Sequence, residues 1–388
     1  MNLEILSIIV FFGIIVLLII KDRKNIEFKS FLIIRKTERG KGTIEKFAKS
    51  NFRILKISSN IAVVVAIALS IIGVVFLLSF SGVRLMLPKV FPGEVSPAVQ
   101  KVAFFIPLWY WVIAIIIIVF PHEIAHGLIS VVEKIRITSM GVILFLIFPG
   151  AFVEPDEVKF EKSKPETRMR IAAVGSVANF IVFIFLIILS LALTRGFYTE
   201  SGVLAFQINN SSYPAKQVNL TGVITEINNK QVRNVQDLEE ILNQTKPGDK
   251  IQIKGDENYY NLTLIENPLK PDKGFIGISF VKPNAISKIT GIDPNVVYDV
   301  KSYPNYMKSI IDWFKNLIDW VTFLDINVAI ANLLPAIPFD GGIMWQGLFE
   351  KITGKKKLSK RMVILLSIIV YGILILNLIG IKKIVGLL

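Results

Sequence analysis

The sequence predicts a polytopic α-helical membrane protein with about six transmembrane helices, a re-entrant hairpin and an inserted extracytoplasmic α+β domain. Three observations carry this prediction. Hydrophobic residues are 53% of the 388-residue chain and the mean hydropathy is +0.58, well above the apolar share of a soluble domain. Uncharged apolar runs of membrane-helix length recur on both sides of residue 200. Residues 196–305 contain no such run and alternate apolar with polar positions instead.

The net charge is +14, from 44 basic and 30 acidic residues. Nucleic-acid binders share such a balance, but here the basic residues cluster in loops beside apolar runs, where they orient a chain in the membrane. The expected partner is therefore the lipid bilayer, with no nucleic acid. The chain has no cysteine. That excludes disulfides and thiolate metal sites, so any zinc must be held by His and carboxylates.

Residues 1–60 read as an N-terminal anchor helix, Ile5 to Ile20, and a basic cytoplasmic loop. Lys21, Arg23 and Lys24 follow the apolar run, whereas a cleavable signal peptide carries its charge in front. Residues 21–60 hold 12 basic and 4 acidic side chains, which keeps this loop inside and the N-terminus outside.

Residues 61–194 form the first part of the membrane core. Ile61 to Val83 spans outward, a loop with Pro88, Pro92, Gly93 and Pro97 follows, and a span from Val102 to Pro121 runs inward. Ile137 to Val153 is apolar but is interrupted by Gly141 and Pro149-Gly150. A crossing here would put the basic cluster from Lys351 to Arg361 outside, so the run is read as a re-entrant hairpin. Irregular backbone survives at that depth only when buried in protein or lining a wet cavity. Ile171 to Thr194 then spans outward.

In residues 196–305, Val203 to Ile208, Val223 to Ile227 and Phe275 to Val281 are strand-like, and Ile251/Ile253 and Leu262/Leu264 alternate with polar neighbours. Asn234 is placed to cap a helix from Val235 to Asn243. The N-x-S/T sequons at Asn209, Asn210, Asn219, Asn243 and Asn261 all fall here, in agreement with an outside location. Residues 306–350 return through the membrane, and 351–388 supply a last span, Met362 to Ile381.

Two stretches carry chemistry. His122 and His126 are the only histidines, and they flank Glu123 in the pattern His-Glu-x-x-His. Positions i and i+4 share a helix face, so both imidazoles reach one ion, while Glu123 is rotated about 100° from His122 and stands beside it as a general base. The second stretch, Asn332-Leu-Leu-Pro335-Ala-Ile-Pro338-Phe-Asp340-Gly341-Gly342, cannot continue a regular helix. Its break can project Asp340 inward as a third ligand. Asp325, also in an apolar context, is the alternative third ligand.

His122-Glu123-x-x-His126, Pro149-Gly150-Ala151-Phe152-Val153, Gly175-x-x-x-Asn179 and Asn332-x-x-Pro335-x-x-Pro338-x-Asp340-Gly341 occur in this order. Together they resemble the site-2 protease family of intramembrane zinc metalloproteases, in its Pro-Gly-Ala-Phe-Val loop branch. The richness in Ile, Lys and Asn suits an archaeal source. The resemblance implies His122, His126 and Asp340 as Zn²⁺ ligands, Glu123 as the catalytic base, and Asn179 and Asn332 as substrate-binding residues. It also implies that residues 201–282 form a PDZ-like domain. The implied activity is cleavage of transmembrane segments in single-span proteins of the cell membrane, after a first ectodomain cut; the charge-based topology places the His pair, and with it the active site, towards the cytoplasm. Whether the protein forms a homo-oligomer stays open. Two other classes fit parts of the sequence: a catalytically silent scaffold binding partners through residues 201–282, and a metal transporter, for which two histidines make a thin pathway.

Overall fold

The computed structural model describes residues 3–379 except 30, 80–83, 92–96, 101–102, 146–147, 256–257, 283–286 and 288–291. It divides into two compact units, Met1–Ile187 with Leu317–Leu388, and Ile188–Asn316. The first begins with helix α1 (Leu3–Lys21), strands β1 (Ile26–Lys29) and β2 (Leu32–Thr37), and helices α2 (Lys41–Ser50) and α3 (Phe52–Ser79). Helix α4 (Leu108–Val132), strands β3 (Ile137–Phe145) and β4 (Phe148–Pro155), and helices α5 (Glu157–Lys162) and α6 (Pro165–Phe197) follow. The chain returns in α7 (Asn305–Leu333), α8 (Asp340–Thr353) and α9 (Lys356–Ile379).

Among the described residues, α3, α4, α6 and α9 are long and apolar enough to cross a membrane, and α1 supplies a shorter apolar helix, Ile5–Lys21. The protein is a multi-pass membrane protein. Helix α7 is of similar length but carries Asp312, Lys315, Asp319 and Asp325.

The basic stretch read as a loop is folded. Strands β1 and β2 join the hairpin β3–β4 in one antiparallel sheet of order β1-β2-β3-β4, with Leu32 opposite Phe145 and Thr37 opposite Met140. Gly141 allows this pairing, because a Cβ there would lie 2.1 Å from the Arg35 carbonyl oxygen. Helix α3 starts at Phe52, nine residues before Ile61, so Arg53 and Lys56 ride on its first turns. A second correction concerns the span expected from Val102. Ala103–Pro107 is a strand parallel to Leu85–Lys89, and α4 begins only at Leu108. Pro107 is the reason: its ring disfavours helical backbone at Ile106, so the helix cannot extend towards the N-terminus.

Helices α3, α4 and α6 pack through a cluster containing Ala62, Ala66, Ile129, Val132 and Ile171 to Val174, with Leu333 and Met344 against it. Small residues on α3 permit close helix approach. A Cβ on Gly73 would lie 2.8 Å from Ile330 Cγ2, and the buried Ser70 hydroxyl donates to the Leu333 carbonyl at 2.6 Å while accepting from Trp345 Nε1 at 2.8 Å. Ser70 thereby ties α3 to both sides of the break before Asp340.

The second unit is α+β. Strands Lys250–Lys254 and Tyr259–Thr263 pair antiparallel, and the first buries Ile251 and Ile253 on one face. The Asn234 side chain accepts from Asp237 N at 2.9 Å and caps the helix Val235–Asn243, whose Leu238 enters a core with Ile224, Ile227, Leu264 and Ile276. The last strand is Val296–Val300, paired with Tyr198–Leu204, and not the Phe275–Val281 segment. That segment is divided between the end of strand Lys270–Phe275 and the short Ile278–Ser279, with Gly277 at φ 90° between them.

Candidate metal centre

His122 and His126 sit one turn apart on α4, just after Pro121, which the helix tolerates without breaking. Their Nε2 atoms are 3.1 Å apart and the rings meet edge to face. Asp340, the first residue of α8, brings Oδ2 to 3.2 Å from each of the two nitrogens. The break between α7 and α8 does what its two prolines and two glycines suggest: it turns the chain and presents a carboxylate. A Cβ on Gly341 would strike the Leu333 carbonyl oxygen at 2.2 Å, so the turn closes only with glycine there.

The donor set fits zinc. His126 Nδ1 lies 2.6 Å from the Ile171 carbonyl oxygen, which can only accept, so Nδ1 carries the hydrogen and Nε2 presents a lone pair. Among the described residues Asp340 Oδ2 is buried with no hydrogen-bond partner. With His122 in the same tautomer as His126, three electron-rich atoms converge at 3.1–3.2 Å from one another. Ligand bonds of about 2.0–2.1 Å at tetrahedral angles put neighbouring donors about 3.3 Å apart. A cation satisfies all three at once.

Glu123 is half-buried, and its Oε2 accepts from the Val153 backbone N–H at 2.9 Å, so strand β4 fixes the carboxylate beside the cluster. Gly127 lets β4 lie this close, since a Cβ there would be 3.0 Å from Val153 Cγ1. Gly175 on α6 backs the imidazoles, and its missing side chain is a requirement: a Cβ would be 2.3 Å from His126 Nε2 and 2.8 Å from His122 Cε1. The Ile171 carbonyl, the Val153 amide and the space at Gly175 are contributions that a sequence pattern does not display.

Asn179 lies one turn beyond Gly175, fully buried, and among the described residues both ends of its amide are unpartnered. Asn332 is half-buried in the last turn of α7. Neither belongs to the His-His-Asp cluster, and nor does Asp325, which is fully buried in α7 with no partner for either oxygen among the described residues. The third donor at the cluster is Asp340.

A second cluster braces the site. Glu133, at the end of α4, accepts from Arg170 at 2.7 Å, from Lys56 at 2.5 Å and from Thr167 at 3.0 Å, joining α3, α4 and α6. Arg168 likewise reaches Glu350 at 2.7 Å, joining α6 to α8.

Two imidazoles and a distant carboxylate, with a restrained glutamate alongside, define a metallopeptidase centre within a membrane protein. Residues 110–377 match peptidase family M50, the site-2 protease family, and since this is well over half of the chain, the protein belongs to that family. Members of the family are zinc metalloproteases. The chain is also similar to the uncharacterized protein MJ0971 of the archaeon Methanocaldococcus jannaschii, with 28% identity over 364 residues, covering 92% of this chain and 89% of that protein.

Proposed function

We propose that this protein is an intramembrane zinc metalloprotease that cleaves transmembrane segments of single-span proteins after a first cut has removed their ectodomains. The observation that carries the reading is the meeting of His122, His126 and Asp340 Oδ2 at 3.1–3.2 Å beside Glu123. Zinc held by these three residues supplies a Lewis acid for water and for the scissile carbonyl. Glu123, oriented by the Val153 amide, takes a proton from the attacking water and passes it to the leaving amine. His126 keeps its ring orientation through the Ile171 carbonyl. Asn179 and Asn332 position the substrate strand or stabilise the reacting carbonyl.

A helical substrate hides its carbonyls in backbone hydrogen bonds and must unwind before it can react. Strand β4 is an outer strand of its sheet, and an unwound segment can add to it by β-pairing. In the membrane arrangement we favour, α1 and α7 join the four longest apolar helices as spans, the hairpin β3–β4 is re-entrant, and the site lies towards the cytoplasm. The extracytoplasmic unit, PDZ-like over residues 201–282, admits only trimmed substrates.

The test is purified protein incubated with a panel of single-span membrane substrates. Cleavage is expected to stop on chelation, return with Zn²⁺, and be absent in Glu123→Gln. Cleavage that persists in Glu123→Gln would overturn the assignment.

A further inference from the structure

A cleft of about 1210 Å³ opens within the membrane unit, away from the His-His-Asp cluster. Its floor is one face of the sheet. Arg35 pairs with Val142, and Val142 with Ala151, while Ile33 pairs with Leu144, and Leu144 with Pro149, so these side chains project the same way from β2, β3 and β4. The walls are α1, through Ile15 and Ile19, and the outer flank of α4, through Ile116 and Phe120. Ile116, Phe120 and Val142 are 59%, 62% and 53% exposed, a large apolar surface with no protein cover.

The two ends of the cleft differ. Along α1 and β2 the lining changes from apolar to charged, at Lys21, Asp22, Arg35, Lys36, Glu38 and Arg39. An ion pair between Arg35 and Asp22 ties the two charged stretches together. Glu38 is held by Lys41 at 2.8 Å, and Lys36 lies 3.5 Å from Glu27. Arg39 also helps to stabilise the Asp22 carboxylate, but on this rim the four basic side chains Lys21, Arg35, Lys36 and Arg39 outnumber the two acidic ones, Asp22 and Glu38, so its net charge is positive.

The cleft shares two elements, α4 and β4, with the candidate site. Val119 and Phe120 on its wall come just before Pro121 and His122, and Ala151 on its floor comes two residues before Val153, whose amide holds Glu123. Helix α1 and strand β2 lie outside residues 110–377, so they add to the part matched by the family.

We propose that this cleft seats the transmembrane segment of a substrate whose flank at the charged end is acidic, a specificity that rests on the metalloprotease reading above. The apolar floor and walls take the lipid-facing side chains of the segment. Lys21 and Arg39 take the carboxylates that follow it. Basic cytoplasmic flanks, which the positive-inside rule makes common, are repelled. That one wall helix and one floor strand of the cleft also carry His122, Glu123 and the Val153 amide favours a substrate over a lipid as its occupant.

The test uses one single-span reporter in two forms, with a Glu-rich or a Lys-rich flank at the cytoplasmic end. At low salt the intact protein is expected to process the Glu form faster by about fivefold or more. In Lys21→Glu/Arg39→Glu the ratio of Glu to Lys processing should invert, while the matched reversal Lys159→Glu/Lys162→Glu on α5, outside the cleft, should leave it as in wild type. A photo-crosslinker at Ile116 in Glu123→Gln reads seating without cleavage: capture of the Glu form over the Lys form supports the proposal even if the reporter is never cut. Equal capture of both forms, or capture of phosphatidylglycerol from proteoliposomes in place of the reporter, overturns it. If neither form is cut by the active protein but the Glu form is captured, the peptidase reading is what fails.

Discussion

Gly175→Ala isolates the role of space behind the imidazoles. The added Cβ would sit 2.3 Å from His126 Nε2, 2.7 Å from His126 Cε1 and 2.8 Å from His122 Cε1. Ordinary contacts between such atoms are about 3.5 Å, so the rings must retreat by roughly 1 Å. Metal sites tolerate ligand shifts of only about 0.2 Å, and weaker disturbances of supporting groups already cost about 10–100-fold in affinity. A loss of zinc affinity of at least that size is expected. The helix itself gains, because Ala is favoured over Gly in a helix interior by about 1 kcal/mol. Helix content and thermal stability of the metal-free protein should therefore hold or rise while zinc retention against a competing chelator falls. If Gly175→Ala retains zinc within about threefold of wild type, under 1 kcal/mol, the contact argument is wrong.

Two further perturbations act at a distance from the metal. Glu133→Gln leaves Arg170 and Lys56 without their carboxylate, and removing one partner of a buried pair costs about 3 kcal/mol, read as a lower denaturation midpoint in detergent; a loss below about 1 kcal/mol would contradict the bracing role. Burial raises the Glu133 carboxyl, but the hydrogen bonds from Arg170, Lys56 and Thr167 more than reverse this and hold it below the ordinary carboxylate range. The stabilisation from a depressed carboxyl is present above the unfolded value of about 4.3 and is lost as pH falls through the folded one, so wild-type stability should decline below that pH and Glu133→Gln should flatten the decline. Gly141→Ala drives a methyl into the Arg35 carbonyl at 2.1 Å and should unpair β2 from β3, seen as faster amide exchange across residues 32–37; unchanged exchange would rule out the close approach as the reason for glycine there.

The His122-His126-Asp340 cluster was readable in the sequence because its chemistry is local. His122 and His126 need only helical spacing, and the Pro335 to Gly342 stretch announces a turn wherever it lies. What stayed hidden depends on pairing across long separations. Strand β2 meets β3 more than 100 residues later, and its Lys- and Arg-rich composition, ordinary for a cytoplasmic loop, masks the strand. Ala103–Pro107 is an uncharged run continuous with the helix after it, and hydropathy alone does not separate strand from span there. Glu133 shows the same limit, since its partners lie 34, 37 and 77 residues away. In residues 196–305 the alternation of Ile251 and Ile253 and the cap at Asn234 were visible, whereas Val296–Val300 was too short a run to stand out from its surroundings.

The hydroxyl of Ser70 has a bearing on where this enzyme can be cut down. It lies 40 residues upstream of the region shared with the family, yet it bridges the backbone and indole that flank the ligand-bearing bend. A trimmed version starting at residue 110 would keep His122, His126 and Asp340 and lose the latch that holds the bend before Asp340 in register. Minimal versions of this peptidase should therefore retain α3, or replace its hydroxyl with another group that satisfies Leu333 and Trp345 together.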